Sequence, residues 1–413
     1  MNTTPSRCPL APTWLLVSIG VLLALAGCAA PKQTASTELA SFDQAVAEAT
    51  DSLATQTQKL PAFMAKLEAL TKLEALDKRA LVIDPMIDSA SGQQTVVTRQ
   101  LEEKVATRLA SKHAQLPVLP FQLANLNRSQ YVLTGTMTRL QDQKTGTAGA
   151  RAPFQINLAL TEVKTGTVVA QASSRARDDG LDTTPTPYFR DSPVLVKDKV
   201  VDGYVRTSQT PPGQPADKDY FERLAAATMI NEATVAYNND KFQEALDLYK
   251  GALATPSGEQ LRTVNGIYLT SWKLGRMQEA EQAFGKVVAL GIASNSLGVK
   301  FLFNPGTTDF WSDPKVSGPY ALWMRQIAKQ AAQTKVCMHV VGHTSRTGGD
   351  AFNDKLSAQR ALAIRQKLAA EAGELAARTK TSGVGSRENI IGTGTDDVSD
   401  SLDRRVEFKI VGC

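Results

Sequence analysis

The residues of this chain with a chemically meaningful spacing lie near its C-terminus. A hydrophobic run over residues 336–341 stops at a Gly-His-Thr sequence (342–344), and a glycine-containing loop follows. One face of the helix predicted after that loop carries four residues at four-residue spacing: Leu356, Arg360, Ile364 and Leu368. Because a guanidinium in an apolar stripe is costly unless an anion meets it, the spacing predicts an anion-binding pocket around Arg360.

Catalytic and metal chemistry are not indicated. No nucleophile, base and orienting group are arranged as a catalytic set, and His343 is expected to be a structural, hydrogen-bonding histidine rather than a general base. The chain has three histidines, at positions 113, 339 and 343, and none has a ligand-like spacing to a cysteine. We therefore predict a protein that is not an enzyme and that has no metal and no cofactor.

The elements around this pocket resemble a known family. After the Gly-His-Thr sequence come Asn353, a Leu-Ser pair and Arg360. Residues 402–410 open with Leu-Asp-Arg-Arg and continue as a strand with period-two alternation. This set resembles the OmpA-like peptidoglycan-binding domain over residues 297–413, and the resemblance implies a βαβαββ fold.

The resemblance also implies a ligand, the diaminopimelate of the peptidoglycan stem peptide. In the family, an aspartate after Gly-His-Thr meets the ligand's ammonium, and an arginine fifteen positions later meets its carboxylate. Arg360 occupies the second place, but Ser345 occupies the first, and Asp403 replaces the asparagine before Arg404. Either Asp403 or Asp350 restores the anion, or the domain has lost or changed its ligand.

The wall-binding residues implied by the resemblance are Ser345, Asn353, Arg360, Asp403 and Arg404. Asn353 is open to two interpretations, because an asparagine at this place can touch the ligand or can cap the helix and hold the loop. Binding to the cell wall is predicted, whereas binding of standard diaminopimelate stays open.

A disulfide between Cys337 and Cys413 follows from the same resemblance. OmpA-like folds set the strand before Gly-His-Thr beside the last strand in antiparallel orientation, so the start of one meets the end of the other. This places the two Cα atoms near the window of about 4.4–6.8 Å that a disulfide needs. The alternative is two unpaired thiols.

The N-terminus is typical of an exported protein. Arg7 precedes an apolar run over residues 14–26, which is about 20 Å long as a helix and too short for a bilayer core of about 30 Å. Residues 1–27 are therefore predicted to be a signal peptide. The run ends in Leu-Ala-Gly-Cys28, which resembles a bacterial lipobox, although an ordinary cleavage site with an incidental cysteine is the alternative.

The lipobox resemblance implies cleavage before Cys28 and acylation of its thiol and its new amine, which makes anchoring effectively permanent. Ala29 in place of aspartate implies sorting to the outer membrane. Residues 28–41 are predicted to be a tether.

Residues 42–178 are predicted to form an α/β domain. Helical periodicity covers residues 42–76 with a break at Pro61. The elements predicted next are a strand (80–85), a helix (96–110), strands at 116–119, 130–137 and 154–161, and a hairpin into 168–170. This order resembles the periplasmic domain of LpoB-like and CsgG-like lipoproteins. LpoB-like members activate penicillin-binding proteins, and CsgG-like members build secretion channels, a role that this sequence does not support. The alternative is an unrelated α/β domain.

The middle of the chain divides into two stretches. Residues 179–218 contain six prolines among polar residues and are predicted to be a linker or an irregular extension. Residues 219–292 resemble tetratricopeptide repeats, because Ala245 and Tyr249 recur as Ala280 and Phe284 after 35 residues. The repeats provide either a groove for a periplasmic protein partner or a spacer.

The sequence thus predicts an α+β multidomain protein. With 46 basic and 41 acidic residues, its charge is too small and too scattered for nucleic-acid binding. We predict an outer-membrane lipoprotein on the periplasmic face that binds peptidoglycan and tethers or scaffolds envelope partners. The alternative is an activator of a peptidoglycan synthase that acts through the LpoB-like domain. A hydrolase is disfavoured because a catalytic set is missing.

Overall fold

The computed structural model describes residues 39–58, 79–140, 152–304, 306–391, 394 and 399–413 of the 413-residue chain. The predicted signal peptide, the lipidation residue Cys28, most of the tether and the predicted helical stretch over residues 59–76 lie outside the described residues. None of the helices in the described ranges combines the length and the apolarity that a membrane span requires.

A six-stranded sheet forms the first part of the fold. Its strands are β1 (Leu81–Ile83), β2 (Ile87–Asp88), β3 (Val118–Leu119), β4 (Tyr131–Arg139), β5 (Phe154–Glu162) and β6 (Val168–Ala176). The order is β3-β1-β4-β5-β6, and β2 pairs with β4. Strand β1 runs parallel to β3 and β4, whereas β4, β5 and β6 form an antiparallel meander.

Two long helices cover one face of this sheet. They are α1 (Phe42–Gln58) and α2 (Val96–Lys112), and the short α3 (Leu123–Leu126) follows β3. Thr95 caps α2 reciprocally with Thr98, because each side chain accepts a hydrogen bond from the other residue's backbone N–H. The predicted alternation of β5 is present, since Phe154, Ile156, Leu158 and Leu160 are at most 2% exposed in the core shared with these helices.

Residues 179–218 differ from the linker that the sequence predicted. They contain α4 (Pro187–Asp191) and α5 (Lys199–Ser208), and α6 (Lys218–Phe221) begins at their end. Tyr204 of α5 is buried with Tyr220 of α6 against the second face of the sheet, and its hydroxyl accepts a hydrogen bond from Gly135 N–H at 2.9 Å. The proline-rich stretch therefore contains short packed helices, and Pro187 occupies the first turn of one of them.

Four helices follow as two antiparallel pairs. They are α7 (Leu224–Asn238), α8 (Phe242–Leu253), α9 (Leu261–Lys273) and α10 (Met277–Ala293). The turns within the two pairs match, because Asp240 and Gly275 both have a left-handed φ, of 59° and 72°. Gly266 is needed where the pairs meet, since a Cβ there would lie 2.4 Å from the ring of Tyr249.

The C-terminal domain has the predicted βαβαββ order. Its elements are β7 (Leu297–Val299), α11 (Pro314–Ser317), α12 (Tyr320–Gln333), β8 (Cys337–Gly342), α13 (Asp350–Glu371), α14 (Leu375–Arg378), β9 (Thr379–Gly383) and β10 (Val406–Val411). The sheet order is β7-β10-β8-β9, with β10 antiparallel to β7 and β8, and β9 parallel to β8. Cys337 pairs with Val411, and the Cys337–Cys413 disulfide joins Cα atoms 5.2 Å apart.

The outer edge of this second sheet is joined to the stretch that precedes the helical pairs. Val194 bridges Val299 in antiparallel orientation, and Leu195 N–H donates to Gly298 O at 3.0 Å. Lys300 is buried, and its Nζ donates to the carbonyls of Phe189 and Arg190 at 3.2 Å each. Burial lowers the pKa of Lys300 to about 8. Residues 194–195 therefore pair with β7 along its free edge.

A buried carboxyl under the first sheet leads to a prediction about pH. Asp84 is 4% exposed, and its Oδ2 accepts a hydrogen bond from the Tyr220 hydroxyl at 2.8 Å. Burial raises the pKa of Asp84 from 3.8 to about 6, although the charge of Arg262 and the Tyr220 hydrogen bond oppose it. The folded state therefore keeps a proton that the unfolded state has lost between about pH 4 and pH 6, so this group makes the fold less stable as pH rises through that window.

We expect Asp84→Asn to remove that loss, because the amide is uncharged and its oxygen still accepts from Tyr220. Relative to the variant, the wild type should lose about 2 kcal/mol of unfolding free energy between pH 4 and pH 7. Urea unfolding at the two pH values measures this difference. The exposed Asp179→Asn is the control, and equal pH dependence in all three proteins would refute the prediction.

Candidate functional site

Arg360 lies on the buried face of α13, as its place in the apolar stripe predicts, and is 6% exposed. Its Nε donates to Thr307 O at 3.1 Å, and its Nη2 lies 3.4 Å from Asn304 O. The guanidinium carbon lies 4.7 Å from the centre of the Phe303 ring. Arg360 thus holds the loop after β7 in place. The carbonyl oxygens of Thr307 and Asn304 supply part of the negative charge that was expected beside a buried guanidinium.

The loop after Gly-His-Thr is held from α13 by Asn353, which is 2% exposed. The Asn353 amide donates to Thr347 O at 3.2 Å and to Ser345 O at 3.5 Å. Asn389 holds the same loop from the other side, because its amide donates to Thr344 O at 2.8 Å. Of the two interpretations of Asn353, the structure shows contacts that hold the loop.

Ser345 is 6% exposed within this loop. Asn353 and Arg360 are seven residues apart on the same helix face, which corresponds to about 10 Å along its axis. Phe352 is 55% exposed on the first turn of α13 and forms an apolar rim beside Gly348. Arg360 and the loop that Asn353 holds therefore lie along the same face of α13.

Asp403 was expected to take part in wall binding, and in the structure its carboxylate binds backbone groups. It is fully buried, and its Oδ1 accepts the backbone N–H groups of Ile390 and Ile391 at 2.6 and 3.0 Å. The carboxylate is therefore used to fix the chain before β10. Arg404 is half-buried, and Asp350 is exposed at the start of α13. Of the two aspartates proposed to replace the missing charge, Asp350 is the one open to solvent.

His343 was predicted to be a structural, hydrogen-bonding histidine, and its contacts differ from that expectation. Its side chain is fully buried, and among the described residues neither ring nitrogen has a hydrogen-bond partner. Its Nε2 lies 3.6 Å from Glu407 Oε2, while Arg405 donates to the other oxygen, Oε1, at 2.7 and 2.9 Å. Burial would raise the pKa of Glu407, but the contact with His343 and the charge of Arg405 hold it at about 2.

Neither Glu407 nor Glu388 was predicted to lie beside His343. One signal was available, because Glu407 stands two residues after Arg405 on the same face of β10. The contacts of Arg360 with Asn304 and Thr307 were also missed, and no pattern in the sequence indicates them. They depend on how the loop after β7 folds back over α13.

A cavity of about 400 Å³ lies elsewhere, between α10 and α12. Glu281, Lys286, Gln326 and Lys329 are among its lining residues, and none of the predicted site residues is. Glu281 accepts hydrogen bonds from Gln326 and Arg325 at 2.9 and 3.2 Å. The predicted wall-binding residues and this cavity are therefore separate features.

Comparison with known proteins identifies the C-terminal domain as OmpA-like. The model of the OmpA family matches residues 302–401, about a quarter of the chain. The match confirms the OmpA-like resemblance for residues 302–401.

Several solved structures are similar to 28% of this chain. The peptidoglycan-associated lipoprotein from Burkholderia pseudomallei is 21% identical, with 89% of that chain covered and a TM-score of 0.22. The cell wall anchor of the T6SS from Pseudomonas aeruginosa is 21% identical, with 80% covered and a TM-score of 0.24. An outer membrane protein from Borrelia burgdorferi is 23% identical, with 88% covered and a TM-score of 0.22.

Among curated proteins, the Protein CTR9 homolog of Arabidopsis thaliana is 36% identical over 87 residues. This match covers 17% of the present chain and 8% of the plant protein. The chain therefore spans less than a tenth of the length of that relative.

Proposed function

We propose that this protein is a lipid-anchored outer-membrane protein that binds peptidoglycan through its OmpA-like domain and tethers or scaffolds envelope partners on the periplasmic side. The match of residues 302–401 to the OmpA family carries the proposal. The proposal is supported by the position of Arg360 on the same face of α13 as Asn353, which holds the loop after Gly-His-Thr. The protein is not an enzyme, and the helical pairs α7 to α10 provide a surface for a periplasmic partner.

The ligand is the peptide stem of peptidoglycan, with Arg360 directed at a carboxylate group. Ser345 stands where the family has an aspartate, so the ammonium group of diaminopimelate lacks its usual partner. Arg360 supplies charge-assisted donors, which are the stronger kind of hydrogen bond. We therefore expect this domain to bind the wall more weakly than relatives that keep the aspartate.

Ser345→Asp should strengthen binding, because the new carboxylate can meet the ammonium group. A hydrogen bond between charged groups contributes about 1.5–3 kcal/mol, so we expect binding to purified sacculi to tighten about tenfold or more. Co-sedimentation across a concentration series measures the change. Thr347→Asp places the same charge at an exposed position of the loop and is the control. Binding that is unchanged or weaker in Ser345→Asp would show that the diaminopimelate site is not at this position.

The anchor is tested at Cys28. Cys28→Ser removes the thiol that is proposed to carry lipid, so the protein should leave the membrane fraction or accumulate as an uncleaved precursor. Membrane fractionation and metabolic labelling with a fatty acid measure this. Cys8→Ser lies within the proposed signal peptide and should change neither result. If Cys28→Ser is fractionated and labelled like the wild type, the protein is not a lipoprotein acylated at this residue.

The second candidate function is activation of a peptidoglycan synthase through the α/β domain. The order of strands and helix in residues 80–176 supports it, because this is the order on which the LpoB-like resemblance rests. The assay requires the full mature chain, since Tyr204 and Tyr220 complete the core under the sheet. Faster glycan polymerisation by a purified penicillin-binding protein in the presence of the chain would favour this function, and an unchanged rate would leave tethering.

A further inference from the structure

Three side chains outside the proposed wall-binding set converge where β8 ends. His343 follows β8, Glu388 lies in the loop after β9, and Glu407 belongs to β10. One ligand atom from each of them lies within 4.8 Å of the others. Three segments that are distant in the sequence thus bring an imidazole and two carboxylates to one place.

The imidazole points into this place, with Nε2 3.6 Å from Glu407 Oε2, a separation longer than a hydrogen bond. His343 is 2% exposed, and both of its ring nitrogens are buried with no hydrogen-bond partner among the described residues. Buried polar atoms are normally paired, because water is no longer available to them. A nitrogen lone pair in this position is suited to coordinate a metal ion.

The distances also fit an ion. Ligand atoms bound at about 2.0–2.2 Å to a tetrahedral ion are about 3.4 Å from one another. His343 Nε2 and Glu407 Oε2 are 3.6 Å apart, so that pair needs almost no movement. Glu388 is exposed and can swing to complete the set, which also gives an ion a path from solvent.

Two cations share Glu407 in the present arrangement. Arg405 is bound to Oε1, the oxygen that faces away from the imidazole contact. Lys409 lies 3.6 Å from Oε2, and its side chain is 45% exposed. Since a half-exposed ammonium group can turn into water, an ion can take its place on Oε2 while Arg405 keeps Oε1.

We propose that His343, Glu388 and Glu407 bind one divalent first-row transition-metal ion, for which Zn²⁺ is a suitable probe. One imidazole and two carboxylates are a donor set that such ions accept, and a water molecule completes a tetrahedral shell. The ion ties the Gly-His-Thr sequence at the end of β8 to the loop after β9 and to β10. The proposal does not rest on peptidoglycan binding. The three ligands share no local motif, so the spacing of residues in the sequence predicted no metal.

The test is titration of the full mature chain with Zn²⁺ alone, followed by calorimetry. We expect one ion per chain and a binding constant at least tenfold weaker in Glu388→Gln. Because Glu388 is exposed, this variant should keep the fold. His343→Asn changes a buried residue, so its unfolding curve has to be measured beside its Zn²⁺ binding curve. Zn²⁺ should also raise the melting temperature of the wild type more than that of Glu388→Gln.

Matched controls come from the other imidazoles and from an exposed carboxylate of the same domain. His339→Ala changes the neighbouring imidazole of β8, and Glu374→Gln changes an exposed carboxylate, so both should bind Zn²⁺ like the wild type. His113 lies 2.9 Å from Asp51, which gives a second imidazole–carboxylate contact to test among the described residues. The proposal is overturned if the wild type binds no Zn²⁺, if Glu388→Gln binds it equally well, or if His113→Ala abolishes binding.

Discussion

Replacing Cys413 with serine should lower the unfolding free energy of the C-terminal domain by up to about 4 kcal/mol. The Cys337–Cys413 disulfide closes a loop with a sequence separation of 76 residues, so its loss returns a large conformational freedom to the unfolded chain. It also fixes the end of β10 beside the start of β8. Because Cys413 is exposed, the substitution leaves the core intact, and urea unfolding measures the effect.

The redox state itself is checked by mass spectrometry of non-reduced peptides from protein isolated from the proposed compartment, the periplasm. A linked pair of peptides is expected, since that compartment favours oxidation. The matched control is Cys337→Ser/Cys413→Ser, which should lose no more stability than the single variant. Two alkylatable thiols in the wild type, or a Cys413→Ser protein as stable as the wild type, would contradict the prediction.

Arg360→Ala should weaken binding to purified sacculi by about 30-fold or more. Removing one partner of a buried, hydrogen-bonded charge pair typically costs 2–5 kcal/mol. Arg360 also holds the loop of Asn304 and Thr307, so the unfolding curve of the variant has to be recorded beside the binding curve.

Two further variants separate the charge of Arg360 from its shape. Arg360→Lys keeps the charge but lacks the planar fork, so we expect a fold like that of the wild type with a clear loss of binding. Arg365→Ala changes an arginine of α13 that donates to Ala376 O instead and should bind normally. Equal binding by Arg360→Ala and the wild type would place the wall-binding site elsewhere.

The C-terminal domain could be predicted because its signals are local and strongly periodic. Val406, Phe408 and Ile410 alternate along β10, and the stripe of α13 recurs every four residues, so both elements follow from period alone. The pairing of Cys337 with Cys413 needed only the strand order that the OmpA-like resemblance supplied.

Contacts between distant segments could not be predicted. The helices within residues 179–218 are short and depend on tertiary packing, as the hydrogen bond of Tyr204 with Gly135 shows. The role of Asp403 depends on two backbone N–H groups of a loop whose conformation no motif encodes. The closeness of Glu388 to His343 likewise depends on the conformation of the loop after β9, which no motif encodes.

Attachment of the chain to peptidoglycan is tested most directly by co-sedimentation of the mature protein with purified sacculi while a soluble stem peptide is added as competitor. We expect the protein to pellet with the sacculi and to be released into the supernatant as the peptide concentration rises. A protein that stays in the supernatant at every sacculus concentration would contradict the proposed function. A protein that pellets but is not displaced by the peptide would contradict the assignment of the pocket.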